Sequence, residues 1–571
     1  MSSPYVLREY SLVADGERGA LCGPDGNISW LCVPSWHDDA VFADLIGGDG
    51  RYAVTPVERY VWGGYYEPAT LIWRHSWVTI DNRVVECRDA MAAPADPRYA
   101  VLLRQISGSG GTVEITLDLR GRFGAERMSE LRQDDSGRWT GRSGSLRFRW
   151  SGADDAVVTD SGELSARWRL EPGQTRDLVL EIGRTLPDEP TDASQAWTAT
   201  GVYWENSMPS LHATVAPRDA RHSYAVLRGL TTSGGGMVAA ATMSLPERAE
   251  MGRNFDYRYC WIRDQCYAGI AAQVAGATDL VDAAVSFVSE RLIADGASMS
   301  PAYQIDGEPI PSQRSLELAG YPGGFDVIGN QVNKQLQLDA FGEALQLLSA
   351  AVDRLDTDGW RALSVAVDAI DRHWPQPEAG IWELHDDFWT HSRLSCVAGL
   401  RAAARIAPVA DAARFVQLAE TIMAETTRRC LRSDSVWQRS PSLIGTDASL
   451  VMPSVRGALP ADDPRTRNTL AAVRGELASD GYVYRYAHGN HPLGEIEGAF
   501  LLCGFMMALA QFDQGHHVDA FRWFERTRSA CGPPALFAEE YDVRQRQLRG
   551  NLPQAFVHAA LLETASRLAD A

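Results

Sequence analysis

The sequence predicts a multidomain β + α chain: an N-terminal antiparallel β-sandwich over residues 1–190, a linker over 191–217, and an (α/α)6 barrel over 218–571. Three observations predict it. The chain has 571 residues, more than one ordinary core accommodates. Its pattern changes near residue 215 from short, partly alternating segments to helical periodicity. Beyond that point, helical segments follow one another with no strand alternation between them.

The strands come first. RYAVTP, TLIWRHSWVTI, YAVLLRQI, TVEITLDL, GSLRFRW and DLVLEIG, all between residues 45 and 190, are rich in β-branched and aromatic residues. Turn clusters separate them, among them GGDG, SGSGG, DDSG and EPGQ. Many short strands with frequent turns fit a sandwich. The linker DEPTDASQAWTATGVYWENSMPSLHATVAP, which overlaps the last three residues of the sandwich range, carries some helical character.

Twelve helices are expected after it, near 218–233, 263–275, 278–294, 330–355, 359–373, 390–406, 409–430, 443–453, 464–478, 495–512, 516–529 and 553–569. Within 330–355, Leu338, Phe341, Leu345, Leu348 and Val352 recur at the 3.6-residue period. Twelve helices in hairpins suit a ring of six pairs; a helical superhelix has the same inventory.

Composition excludes several classes of function. Hydrophobic residues make up 45% and charged residues 22%, the balance of a globular enzyme. The net charge of −20 argues against nucleic acid and against an anionic membrane surface as partner. The nine cysteines fit no paired framework and read as buried thiols in a reducing compartment. The N-terminus has no basic start followed by an apolar run, and no stretch reaches the ~18 apolar residues of a membrane span, so a cytoplasmic location is expected. No Cys/His spacing suggests a metal, no glycine run follows the phosphate-loop pattern, and no cofactor is expected. Oligomeric state is left open, a homodimer included.

Four segments between helices combine aromatic and charged residues: 254–265, 301–330, 377–392 and 535–556. Flat aromatic faces cover the apolar face of a sugar ring while charged groups bond its hydroxyls. Within them, Glu383 follows Gly380-Ile381-Trp382, where an apolar neighbour would desolvate a carboxyl and keep it protonated. Glu539 and Glu540 are adjacent, with Asp542 nearby, so that one could be held ionised while the others orient it. Arg263 and Asp264, in Trp-Ile-Arg-Asp, read either as a fork for adjacent hydroxyls or as a helix start with an acid in its first turn. On the residues alone, Glu383 and Glu539 read as surface acids among 74.

Taken together, ordered blocks along the chain resemble glycoside hydrolase family 15, the family of bacterial glucoamylases, glucodextranases and certain trehalases. They are ERGALCGPDGNISWLCVPSWHDDAVF, NFDYRYCWIRD, YQIDG…LAGYPGG…GNQVNKQLQLDAFGE, GIWE, TDASLVMPSVRGALPADDPR, DGYVYRY…EGAFLLC and LFAEEYD…RGNLPQAFVHAALLETA. The resemblance implies a β-sandwich followed by an (α/α)6 barrel. It implies Glu383 as general acid and Glu539 as general base, 156 residues apart in the chain. It also implies a sugar clamp of Trp261, Arg263 and Asp264, with Tyr257, Trp382 and Arg485 against the same sugar.

The chemistry implied is inverting: a protonated acid meets the glycosidic oxygen while an ionised base activates a water on the opposite ring face. The expected activity is exo-hydrolysis of a small α-1,4 or α-1,6 glucoside with release of β-glucose, with trehalase as the alternative in the same family. A silent sugar-binding protein on this scaffold is the alternative of another class, and a phosphorylase a further one. LHDDFWTHSRL after GIWE and EPIPSQRSLELAGYPGGFD after YQIDG depart from the family pattern on the acceptor side, which leaves linkage and leaving group open. Lys334 is the single lysine among 54 basic residues and falls inside GNQVNKQ, so it is expected to bond a sugar hydroxyl, to bind a negative group on an unusual substrate or to pair with a site carboxylate.

Overall fold

The structure is a computed structural model that describes residues 4–570. Two antiparallel eight-stranded sheets build the N-terminal part. The first runs Ser11–Ala14, Gly19–Cys22, Asn27–Cys32, Arg51–Pro56, Thr112–Asp118, Leu164–Arg169, Val157–Val158, with Ala40–Phe42 paired to Asn27–Cys32. The second runs Met128–Gln133, Trp139–Ser143, Leu146–Ser151, Thr175–Gly183, Tyr99–Gly108, Val84–Met91, Trp73–Thr79, Tyr60–Tyr66. Burial alternates along Trp73–Thr79 and Leu164–Arg169, as a sheet with one face on the core requires. Four strands precede residue 45, where the sequence shows no alternation: Ser11–Ala14, Gly19–Cys22 and Asn27–Cys32 are buried throughout, so no polar face marks them.

Between the sheets, Trp73, Trp77, Trp150 and Tyr52 fill the core. Arg104 is fully buried there; it pairs with Asp89 at 2.9 Å and donates to the backbone carbonyls of Gly26 and Tyr52 at 2.7 and 2.8 Å. The helix Ala193–Ser207 follows the last strand, capped by Asp192, whose carboxylate accepts from the Gln195 amide at 2.8 Å.

The helices after it form two concentric rings. Ile262–Ala275, Asp339–Ala350, Thr390–Ile406, the short pair Ala448–Val451 and Met452–Val455, Leu501–Asp513 and Ala555–Arg567 pack each on the next, and the last closes on the first. These are the inner helices. Residues 262–272, 501–511 and 555–565 are buried without a break, because the inner helices touch protein on every side. Pro217–Leu230, Thr278–Asp295, Thr357–His373, Val409–Cys430, Pro464–Leu477 and His517–Arg528 pack outside them. Thr357–His373 buries only Gly359, Ala362, Leu363, Ala366, Val367, Ala369 and Ile370, one stripe at helical spacing. This closed double ring is an (α/α)6 barrel, not an open superhelix.

Three expected helices start later than predicted, among them the one near 443–453, whose first helical residue is Ala448. Residues 330–338 form a loop and a short turn before Asp339–Ala350, and residues 495–500 precede Leu501–Asp513. Each of these two pieces contributes to the wall of the cavity described below, Asn330, Gln331, Val332 and Gln335 from the first and Phe500 from the second.

The sandwich braces one side of the barrel. Trp30 donates from its indole to the Ala241 carbonyl at 2.8 Å. Arg258, fully buried, pairs with Asp256 at 2.8 Å and donates to the Asp38 carbonyl at 2.7 Å. The loop that carries Tyr257 and Trp261 is therefore bolted to the N-terminal part. No helix among the described residues is long and apolar enough to cross a membrane.

Candidate active site

A cavity of about 450 Å³ opens at one end of the barrel. Its wall comes from segments that precede inner helices: residues 247–264 before and into Ile262–Ala275, 330–335 before Asp339–Ala350, 381–384 before Thr390–Ile406, 485 and 500 before Leu501–Asp513, and 539 and 554 before Ala555–Arg567. The cavity thus faces the N-terminal ends of the inner ring, where backbone N–H groups and helix dipoles favour negative charge and electron-rich oxygens.

Of the nine residues the sequence singled out, eight line this cavity: Tyr257, Trp261, Arg263, Asp264, Trp382, Glu383, Arg485 and Glu539. Lys334 does not. It ends the turn Val332–Lys334 with an exposed side chain that touches no carboxylate among the described residues, while its neighbours Gln331, Val332 and Gln335 face the cavity. A 3-10 turn places successive side chains on different sides, so one residue's shift along the chain separates wall from surface.

Glu383 accepts from the Trp261 indole at 2.7 Å and from Arg263 at 3.3 Å, both through Oε1. Its Oε2 has no protein donor among the described residues and is left to the cavity. The backbone at Glu383 is left-handed, with φ of 55°, a conformation that costs a residue other than glycine about 1–3 kcal/mol. The turn is held from beneath. Glu378 is fully buried, accepts from the Gly380 and Leu338 amides at 2.8 and 3.2 Å, and pairs with Arg393 at 2.6 Å. Burial pushes the Glu378 carboxyl up to about 7 against the pull of Arg393. Gly380 has φ of 72°, and a Cβ there would stand 2.8 Å from the Trp389 ring. No other residue fits.

Glu539 faces the same cavity. Tyr257 donates to its Oε1 at 3.1 Å and stands 3.4 Å from Oε2. Burial, and then the Glu247 carboxylate, raise the Glu539 carboxyl well above the usual range, while Arg485, Arg253 and the Tyr257 bond pull it down. The desolvation that the sequence suggested for Glu383 therefore falls on Glu539. The Glu383 side chain keeps 27% of its surface exposed, whereas Glu539 keeps 5% of its residue surface. Glu540 and Asp542 do not orient Glu539 as the sequence suggested. Glu540 accepts the Gly498 amide at 2.7 Å and Asp542 pairs with Arg248 at 3.2 Å, because strand Glu540–Asp542 turns both away from the cavity.

The clamp residues are held as tightly. Arg263 donates to Gln337 at 2.7 Å and stands 3.4 Å from Asp339, with Asp264 at 4.0 Å. Asp264 lies in the first turn of its helix and also lines the cavity. Burial raises the Asp264 carboxyl to about 7, with Arg263 opposing and Glu383 adding. Trp382 donates to Asp447 at 2.9 Å and packs edge-on against Phe500 at 5.3 Å. Arg485 donates to Glu497 at 2.5 Å and lies over the Phe500 ring at 4.7 Å.

Sequence reasoning missed Glu247 and Arg253. Both lie within ten residues of Tyr257 on one loop, and both line the cavity. It also missed Gln313, Asn330, Gln331 and Gln335, amides on the outer wall. The only grouping of potential metal ligands among the described residues, Cys22, His75 and Asp89, sits in the sandwich core. Asp89 there is already neutralised by Arg104, so the donor set does not fit a cation.

A double ring of helices holding two carboxyls, an arginine–aspartate pair and aromatic walls in one cavity defines a glycoside hydrolase. The chain belongs to Glycosyl hydrolases family 15, whose model matches residues 221–566. A second model, Trehalase-like, N-terminal, matches residues 2–204. Similar proteins include a trehalase of Mycobacterium tuberculosis, 28% identical over 97% of this chain and 88% of that one. Trehalase 1 of Sulfolobus acidocaldarius is 27% identical over 97% of this chain and 98% of that one. Among solved structures, a bacterial glucoamylase complexed with acarbose superposes with a TM-score of 0.74 at 13% identity, covering 99% of this chain and 94% of that one, and shares the fold.

Proposed function

We propose that this enzyme is an inverting, exo-acting hydrolase of small α-glucosides with trehalose as its substrate. Glu383 acts as general acid and Glu539 as general base, in a catalytic part formed by residues 218–571 that the sandwich of residues 1–190 supports. One observation carries the reading: Glu383 and Glu539 face one cavity and are linked through a single aromatic pair. Tyr257 donates to Glu539 and meets Trp261 edge-on at 5.5 Å, and Trp261 donates to Glu383.

The free Oε2 of Glu383 carries the proton to the glycosidic oxygen as the C1–O bond breaks. Glu539, ionised and oriented by Tyr257, takes a proton from a water, whose oxygen bonds to C1 from the opposite face. Arg263 and Asp264 hold hydroxyls of the sugar being cleaved, and Trp261 and Trp382 wall its ring. The second sugar leaves toward the amides of Gln313, Gln331 and Gln335, uncharged groups suited to a neutral glucose.

Trehalose is favoured over α-1,4 and α-1,6 glucosides by the full-length likeness to proteins named trehalase and by the match of the first 204 residues to a trehalase-like model. A cavity of about 450 Å³ suits a disaccharide. The test is hydrolysis of trehalose, isomaltose and maltose in parallel, followed by NMR. Inversion of trehalose releases one β-glucose from the attacked carbon and one α-glucose as leaving group. Initial release of two α anomers would reject inversion, and faster cleavage of isomaltose or maltose would reject trehalose.

A further inference from the structure

Behind Glu539 lies a buried charged network of which the roles above use only Arg485. Glu247 is 2% exposed and accepts from Arg253 Nε at 2.6 Å. Arg485 stands 3.7 Å from the same Glu247 oxygen, 2.5 Å from Glu497 and 3.6 Å from Glu540. Arg253 reaches Glu497 at 3.4 Å, and His488 stands 3.1 Å from the same Glu497 oxygen. Glu247 and Glu539 flank one backbone position: a Cβ built on Gly550 would lie 3.3 Å from Glu539 Oε2 and 3.8 Å from Glu247 Cγ. Three carboxyls, Glu247, Glu497 and Glu540, thus share two guanidiniums beside Glu539.

Resting on the proposal that Glu539 is the base, we infer that Glu247 and Arg253 are positioning residues that set the pH at which Glu539 becomes competent. Glu247, a like charge beside Glu539, holds the base protonated to higher pH. Arg253 restrains Glu247 and offsets its charge. The groups facing Glu539 are Glu247 and Arg253 from the 247–253 loop, Tyr257 from the next loop, Arg485 and Glu497 from the segments before Leu501–Asp513, Glu540 beside it in the chain, and Glu383 across the cavity. Glu497 is held well down, at about 2, by Arg485, His488 and Arg253, so it stays ionised, and Glu540 is pushed up by burial and by Glu247. Glu247, Arg485 and Arg253 together set the charge balance that Glu539 senses, and Glu247 and Arg253 are the pair carried on one loop beside it.

The experiment is the pH dependence of kcat/KM on trehalose for the wild type, Glu247→Gln and Arg253→Gln, each scaled to its own plateau. Glu247→Gln removes a like charge and is expected to move the midpoint of the acid limb down by about one pH unit; Arg253→Gln removes an opposite charge and is expected to move it up by a similar amount. A structural role lowers the plateau or the melting temperature but does not produce shifts of opposite sign. An unmoved midpoint in either variant, or shifts of the same sign, would overturn the inference. If Glu247→Gln does not fold, Arg253→Gln decides alone, since the Arg253 side chain is a quarter exposed. Glu539→Gln is measured alongside. Near-normal turnover in that variant would sink the base assignment itself, whereas its loss of turnover with unmoved limbs in the other two would sink only this inference.

Discussion

The Tyr257 hydroxyl stands 3.1 Å from Glu539 Oε1 and donates to it. The same ring rests edge-on against Trp261, whose indole bonds Glu383, so a single aromatic pair spaces the two carboxyls. Removing the hydroxyl while keeping the ring separates orientation from packing. Tyr257→Phe should lower kcat about 10- to 100-fold, the value of a hydrogen bond to a charged group, with KM for trehalose little changed. Steady-state kinetics checks this, and unaltered kcat would mean that Glu539 is oriented by other contacts.

Glu383→Gln and Glu539→Gln should each lower kcat by at least about 100-fold, because each removes one proton transfer. Their melting temperatures should stay near that of the wild type. Turnover close to normal in either variant would remove that residue from its role.

The acid limb of kcat/KM should lie above the usual glutamate range. The base works only when ionised, and burial with Glu247 raises Glu539, so activity is lost on acidification sooner than for an ordinary glutamate. A pH profile on trehalose checks the position of that limb.

Glu378→Ala should destabilise the fold by about 3–5 kcal/mol, since it leaves Arg393 buried without its partner and frees the turn that holds Glu383. Denaturant unfolding gives the first number, and a fall in kcat beyond the loss of folded protein gives the second.

Stability should fall on both sides of a mildly acidic optimum. Glu563 is held at about 2 in the folded chain despite its burial, by Arg456 at 2.7 Å and Arg567 at 2.8 Å. Its contribution, roughly 3 kcal/mol, is present above the unfolded value near 4.5 and lost as pH falls through 2. Glu343 and Glu378 are raised by burial to about 7, so their protonated forms favour the fold at low pH, and that contribution is lost as pH rises from the unfolded value to 7. Calorimetry across pH should show the acid-side decline shrink in Glu563→Gln and the neutral-side decline shrink in Glu343→Gln.

By itself, the sequence determined the two-part architecture, because strand and helix periodicities are local and change at one point. It also held the motifs carrying Glu383, Glu539, Tyr257 and Trp-Ile-Arg-Asp, since each is a short run of unusual side chains. The tertiary structure alone decided which carboxyl is desolvated: Glu539 is enclosed while Glu383 stays partly open, and burial depends on distant segments. It likewise placed Lys334 outside the cavity and brought Glu247 and Arg253 in. A side chain's direction depends on the turn that carries it, and the field at a buried carboxyl is set by charges hundreds of residues away in the chain. Those charges meet only because an inner ring of helices gathers the preceding loops at one end.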